Sequence, residues 1–364
     1  MARARPHGAE RAAQLPNATP VLQSRRHKTY LEETIMQRRE FAKKTLTAIA
    51  ATSILGTAAK AQSQNKSPYN ASDEEILNQS SPFKCKFAAN YYGGLCFNAM
   101  KNCKTFEDKI QYYYDHGIRA IEDNNMLSRP VEVQEAIAKK MSQLGMEMGV
   151  FSSYGGMKFQ MTANKLDPKK SPDKAASIEV TKQKMKDAVE CAKRVNAKWI
   201  TLVPGYIDPS FETSYQMANV AEHLKVAADI CGKAGKTIVL EPLSFTAHPG
   251  LWLQKASDAY MLCKAVNNQY CKILFDVFHQ QNTEGSLIRN IDAAWDEIAY
   301  FHLGDTPGRN EPFSGEINFV NVIKHIHEKG YRGLYGMEHG MSDKSEAGEA
   351  KLWRAYRKID AAIA

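Results

Sequence analysis

Short apolar runs and longer segments of helical period alternate along this chain from Lys86 onward. "KFAAN" leads into "FEDKIQYYYDHG", and "IRAIEDN" leads into "VEVQEAIAKKMSQLG". "MEMGVFSSYGG" precedes a helix over 174–195, with Met185, Ala188, Val189, Ala192 and Val195 on one stripe. "KWITLVPG" precedes a helix over 213–234 that faces inward through Val220, Leu224, Ala227, Ala228 and Cys231; Gly235 stands where a C-terminal cap belongs. "KTIVLEP", "KILFDVFH", "IAYFHLGD" and "LYGMEHG" are the remaining strands, each followed by a helical stretch. The strands are apolar throughout rather than alternating, as in a parallel sheet covered on both faces. Eight strand–helix units in about 270 residues predict an α/β fold, a (β/α)8 TIM barrel. A doubly wound open sheet ranks second, but it normally carries a Gly-rich phosphate loop after its first strand, and "NYYGGLCFN" lacks that pattern.

The N-terminal part reads differently. "MQRREFAKKTLTAIAATSILGTAAKAQ" has paired arginines at Arg38 and Arg39, a short apolar run, and Ala59-Lys60-Ala61 as a small-x-small cleavage pattern. That is the layout of a twin-arginine-like secretory signal, and it predicts a periplasmic or otherwise exported protein. The run is too short and too rich in Ala and Thr for a membrane span, which takes about 20 strongly apolar residues. Membrane contact is therefore expected only through the signal. The reading divides the chain into 1–35 (a disordered leader, or residues ahead of a true start at Met36), 36–61 (signal), 62–84 (polar linker) and 85–364 (barrel). Residues 1–61 hold 11 of the 48 basic and 4 of the 40 acidic residues, leaving 37 against 36, a net of +1. A near-neutral domain lacks the basic face of a nucleic-acid binder. The seven cysteines show no metal or redox spacing. Cys191, Cys231 and Cys263 read as buried free thiols. Cys85, Cys96 and Cys103 are close enough in sequence for a bridge in an oxidising compartment.

In a barrel of this kind the active site lies at the C-terminal ends of the strands. The first polar residues at the ends of the last four runs are Glu241, Asp276, His302 and Glu338, separated by 35, 26 and 36 residues. Three carboxylates cannot share a small desolvated space unpaired, because like charges raise each other's pKa. A divalent cation resolves that, and one imidazole with three carboxylates suits Mn, Mg, Co or Zn. Any one of these residues taken alone is more often a salt-bridge or core residue; the constellation carries the argument. His279 follows Asp276 by three positions. Arg309 sits in the loop "GDTPGRNEPFSGEIN" among Asp305, Glu311 and Glu316, which read as its frame. Its guanidinium is a fixed multi-donor suited to a substrate oxygen that turns negative, with a structural pair to Glu311 or Glu316 as the plain alternative. Glu122 ends the second strand and is placed as a substrate contact or as a support for His279. "FTAHPGLWL" reads as a rim loop in which Trp252 stacks on a sugar or simply packs.

"ILFDVFHQQNTEGSLIRNI", "IAYFHLGDTPGRNEPFSGEIN" and "GLYGMEHG" together resemble the C-terminal half of hydroxypyruvate isomerase-like proteins. Those belong to the xylose isomerase-like TIM-barrel superfamily of sugar isomerases and epimerases. The resemblance is strong over 236–340 and diffuse over 86–235. Its most specific part is the D-P-G-R-x-E-P-x-x-G-E-I-N type loop, here with Thr306 between Asp305 and Pro307. It implies Glu241, Asp276, His302 and Glu338 as metal ligands, Glu241 and Glu338 as the proton-transferring pair, and His279 on a substrate oxygen. The isomerases that the chain resembles look to have Gln at the third ligand position and the ketose 3-epimerases His; this chain has His302, so the resemblance is split and leaves isomerase and epimerase both open. Either reaction removes a proton from carbon beside a carbonyl, and a divalent ion stabilises the enediolate that results. The expectation is an exported, metal-dependent isomerase or epimerase acting on a small-molecule ketose or keto-glycoside, with a homo-oligomer compatible with it. No Lys/Arg-rich phosphate loop is visible. The alternatives are a keto-sugar or keto-inositol dehydratase or lyase, a nuclease of the same fold, and a sugar-binding barrel without catalysis.

Overall fold

A computed structural model describes residues 70–91, 95, 97, 99–153 and 159–363. The leader and the signal segment lie outside the described residues. The eight expected strands form: β1 (Lys86–Asn90), β2 (Ala120–Glu122), β3 (Glu147–Met148), β4 (Trp199–Leu202), β5 (Thr237–Leu240), β6 (Cys271–Asp276), β7 (Ile298–His302) and β8 (Leu334–Met337). They pair in parallel in the order β3-β2-β1-β8-β7-β6-β5-β4. A parallel bridge between Ser152 and Thr201 joins the remaining edges just past β3. Its bonds run from Thr201 N to Phe151 O at 2.9 Å and from Ser153 N to Thr201 O at 3.0 Å. The sheet therefore closes on itself as a (β/α)8 barrel, which leaves no unpaired long edge.

Side chains two apart on each strand point into the barrel. Ala88, Ala120, Val150, Trp199, Val239, Leu274, Tyr300 and Leu334 make one buried apolar layer. Two positions further along stand Asn90, Glu122, Ser152, Thr201, Glu241, Asp276, His302 and Gly336. One period-2 step thus carries the interior from an apolar floor to a polar mouth. The other strand face packs on the helices. Helix Thr213–Lys233 buries Val220, Leu224, Ala227, Ala228 and Cys231, the stripe its sequence predicts. Each large apolar side chain so buried contributes about 1.5–3 kcal/mol. Gly235 follows that helix at φ +67°, the left-handed value a glycine cap supplies. No helix among the described residues is long and apolar enough to cross a membrane.

Two expectations change. The apolar run "KILFDVFH" is not all strand: β6 stops at Asp276 and helix Val277–Thr283 starts at once. Asp276 Oδ1 accepts from Phe278 N at 2.8 Å and from His279 N at 3.3 Å, an N-cap that turns the chain. The segment read as a linker is docked over residues 70–84. A short helix, Asp73–Leu77, closes with a Ser72/Glu75 capping box. It buries Ile76, and Phe83 is also buried. Arg357 donates to Ser81 O at 2.7 Å and to Gln79 O at 3.1 Å, and its guanidinium lies 3.8 Å over the Phe83 ring. Few apolar residues hold this arm, so its composition resembled a linker. Cys85 and Cys103 are free thiols, Cys96 lies outside the described residues, and Cys191, Cys231 and Cys263 are buried and free.

His223 sits fully buried between helix Lys174–Arg194 and helix Thr213–Lys233. Thr181 Oγ1 is 2.7 Å from its Nδ1 and Asn164 Oδ1 is 3.0 Å from its Nε2. Burial pushes this imidazole down to about 4. An unfolded histidine titrates at about 6.5, so the unfolded chain takes up a proton that the fold refuses. This contribution, about 3 kcal/mol, is complete above pH ~6.5 and is lost as pH falls toward ~4. Urea unfolding of His223→Gln should therefore fall less steeply from pH 7 to pH 4.5 than the parent does. Equal slopes would remove His223 as the cause.

Candidate metal centre and active-site cavity

At the C-terminal end of the barrel, Glu241, Asp276, His302 and Glu338 each offer one ligand atom, all lying within 4.8 Å of one another. His302 Nδ1 is the hub: 3.1 Å from Glu241 Oε1, 2.9 Å from Glu338 Oε2 and 3.8 Å from Asp276 Oδ2. The four positions spread over 98 residues of sequence meet because they close four adjacent strands. Arg309 completes the cluster. Its Nη1 and Nη2 reach Asp276 Oδ1 and Oδ2 at 2.9 and 2.7 Å, and Nη2 reaches Glu338 Oε2 at 2.6 Å. This is a bidentate fork, which a lysine could not make. The guanidinium also lies 4.5 Å over the Phe278 ring.

The loop after β7 delivers that fork. Arg309 takes φ +51°, and its carbonyl accepts from Gly340 N at 2.7 Å. Asp305 accepts from Thr306 N, Gly315 N and Ile317 N at 2.9, 2.9 and 3.0 Å. Glu311 accepts from Ser342 N at 2.8 Å and pairs with Lys351 at 3.2 Å. Asp305 and Glu311 thus frame the loop, and neither pairs with Arg309. Glu316 is exposed and bonds Gln281 instead.

Electrostatics follow from this packing. Burial and the facing Glu338 push the Glu241 carboxyl up to about 7. Burial also raises Glu338, but His302 and Arg309 more than offset it and hold that carboxyl well below its ordinary range. Asp276 is likewise raised by burial and pulled lower by Arg309. Burial disfavours a charged His302, yet Glu338 and Glu122 raise it well above the ordinary imidazole value. His279 is pushed down to about 4 by burial and stays neutral. Its Nδ1 faces the Ser244 backbone N–H at 3.2 Å, which can only donate. The ring proton of neutral His279 is therefore on Nε2.

A cavity of about 450 Å³ opens above the cluster. Glu241, His279, Arg309 and Glu338 line it, as do Asn90, Asn124, Ser152, Thr201, His248 and Phe278. The rim loop 245–253 reaches it through Ala247 and His248. Trp252 does not. It packs against the outer core, because its buried neighbours Leu251 and Leu253 hold that segment down. Glu122 does not line the cavity either and makes no contact with His279. It lies fully buried under His302, bonded by Tyr300 Oη at 2.9 Å and Asn90 Nδ2 at 3.2 Å. Nothing in the sequence marks Asn90, Asn124, Ser152 and Thr201, because neutral residues near strand ends do not stand out. Counting two positions on from the apolar layer finds Asn90, Ser152 and Thr201.

The family model for the xylose isomerase-like TIM barrel matches residues 110–358. The chain belongs to that family. Among curated relatives of this xylose isomerase-like barrel, hydroxypyruvate isomerase of Escherichia coli K12 is 30% identical over 161 residues. That match spans 44% of this chain and 62% of the relative. A Brucella melitensis structure titled AP endonuclease, family 2, superposes with a TM-score of 0.63 at 21% identity, covering 73% of this chain and 97% of that one. The 3-keto-D-glucoside 4-epimerase of E. coli superposes with a TM-score of 0.60 at 16% identity, covering 74% and 99%. Both structures share the fold with this barrel. The donor set itself fits a divalent cation. Two buried carboxylates, the half-buried Glu338 and a buried imidazole nitrogen converge, and a cation would relieve the repulsion from Glu338 that adds to burial in pushing Glu241 up.

Proposed function

We propose that this protein is a divalent-metal-dependent isomerase or epimerase of ketoses or keto-glycosides. The observation that carries the reading is the convergence of Glu241 and Glu338 on His302 Nδ1 at the floor of an open cavity. Glu241, Asp276, His302 and Glu338 would hold the ion, which supplies a Lewis acid for neighbouring carbonyl and hydroxyl oxygens. One of Glu241 and Glu338 takes the proton from the carbon beside the carbonyl, and the C–H electron pair moves toward the carbonyl oxygen. The other returns a proton. Return to the opposite face of the same carbon gives the epimer; return to the neighbouring carbon, with the hydroxyl proton passing to the former carbonyl oxygen, gives the aldose–ketose isomer. His279 donates its Nε2–H to a substrate oxygen, and Arg309 holds Asp276 and Glu338 in place beside it.

The cavity wall bears on the substrate. Among the described residues, its carboxylates, imidazoles and guanidinium all come from the β5–β8 half, while Asn90, Asn124, Ser152 and Thr201 on the β1–β4 half are neutral. Thr201 Oγ1 is buried with no hydrogen-bond partner in the protein, a state that costs free energy until a hydroxyl or water fills it. The described cation of the wall, Arg309, is already engaged by two carboxylates. This arrangement favours an uncharged polyol tail over the carboxylate of a keto acid. A nuclease reading lacks support from the near-neutral domain charge and the single imidazole in the ligand set.

The test is solvent-deuterium exchange by NMR on a panel of ketoses and keto-glycosides, with hydroxypyruvate alongside and Mn²⁺ added or chelated. Deuterium at one carbon with inversion identifies an epimerase, and at the neighbouring carbon an isomerase. Elimination of water identifies the lyase. Chelation should suppress turnover at least about a hundredfold if the metal carries the chemistry. No exchange into any substrate by the metal-loaded protein would end the reading. Export is part of the proposal and rests on residues 36–61; a mature N-terminus near residue 62 in the periplasmic fraction would be its signature.

A further inference from the structure

We propose that Glu122, held by Tyr300, is the positioning residue that orients His302 as a metal ligand. The inference rests on the metal reading above.

Glu122 is a carboxylate with no exposed surface. Burying such a group is costly unless it is paired and hydrogen-bonded. No Lys or Arg pairs with it among the described residues. What surrounds it is Tyr300 Oη at 2.9 Å, Asn90 Nδ2 at 3.2 Å, and His302 Nε2 at 3.3 Å from Oε2. The last approach makes no hydrogen bond, so it is electrostatic. Its other ring nitrogen, Nδ1, faces Glu241, Asp276 and Glu338. A carboxylate behind Nε2 keeps the ring proton there and leaves the Nδ1 lone pair for a cation. Ring orientation is fixed in the same way.

The barrel is hollowed to make room for this group. A methyl added at Gly336 would sit 2.1 Å from Glu122 Oε2 and 2.5 Å from His302 Cδ2. One added at Gly149 would sit 2.4 Å from Tyr300 Oη and 3.1 Å from Glu122 Cβ. Two interior side chains are thus missing around one buried carboxylate, in a layer that would otherwise be filled. A purely structural role does not account for an anion here. An apolar residue of similar size would pack without the desolvation cost.

The experiment is calorimetric titration of Mn²⁺ into the full-length protein, its Glu122→Gln variant and its Tyr300→Phe variant, with thermal melts of each in chelator. Glu122→Gln should weaken Mn²⁺ binding by about 10–100-fold, and Tyr300→Phe by less. The metal-free melting temperature of Glu122→Gln should hold or rise. A lower metal-free melting temperature with parental Mn²⁺ affinity would show a structural role only and overturn the proposal. If Glu122→Gln does not fold, parental Mn²⁺ affinity in Tyr300→Phe overturns it. Absence of Mn²⁺ binding by the parent protein would end both this proposal and the metal reading. Weak binding by Glu122→Gln, with no turnover of any ketose by the parent, would keep the positioning role and end the isomerase reading alone.

Discussion

If the proposed function holds, Glu338→Gln is expected to fold as the parent does, to bind the same ketose or keto-glycoside, and to lose turnover by roughly 10²–10⁴-fold. The carboxylate is held on both oxygens: Asn124 Nδ2 donates to Oε1 at 2.7 Å, and Arg309 Nη2 donates to Oε2 at 2.6 Å. Glutamine fills the same volume. Its carbonyl can remain toward Arg309, and its amide is accommodated if the Asn124 side chain rotates to present oxygen. It cannot take a proton from carbon. Because Glu338 is also one of the proposed metal ligands, the assay is run at saturating Mn²⁺, with ligand binding followed separately by NMR. Retained binding with turnover lost is the enzyme's signature. A sugar-binding barrel would bind equally in parent and variant and turn over in neither. Parental turnover in Glu338→Gln would exclude Glu338 from the chemistry.

Gly336→Ala should damage the site from below. The added methyl meets Glu122 Oε2 at 2.1 Å and Glu122 Cδ at 2.7 Å, where neither atom is a free end. Tyr300 and Asn90 hold that carboxylate, and Glu241 and Glu338 hold the His302 ring above it. Overpacking at such a point costs about 1–3 kcal/mol. For a domain of this size that lowers the melting temperature by about 2–5 °C. Mn²⁺ affinity should fall with it if His302 is the ligand proposed above, because its imidazole is displaced. A variant with the parent's melting temperature and Mn²⁺ affinity would show that the interior yields here.

The chain's linear pattern was enough to locate all eight strands and to name Glu241, Asp276, His302 and Glu338. Each strand ends in a change from apolar to polar, and a parallel barrel brings those ends to one face. Depth was a different matter. Glu122 is the last residue of β2 and pairs in register with Asn90, whereas Glu241 lies one residue beyond β5. Asn90 lines the cavity, yet Glu122 beside it lies beneath the His302 imidazole, held by Tyr300 Oη, because the partners of a side chain and not its place on the strand set its depth. Trp252 misled for a related reason: an aromatic on a rim loop reads alike whether it faces the cavity or the core.

Arg309 shows the same division. Its loop announced a site through its charge density, and Asp305 and Glu311 are indeed the loop's frame. The partners of the guanidinium, Asp276 and Glu338, lie 33 and 29 residues away, on the ends of β6 and β8. Spacing along a chain encodes which residues reach a strand end, because strand and helix periods are local. It does not encode which charge faces which across the barrel mouth. That follows from barrel closure, strand stagger and the two interior glycines that make room for Glu122.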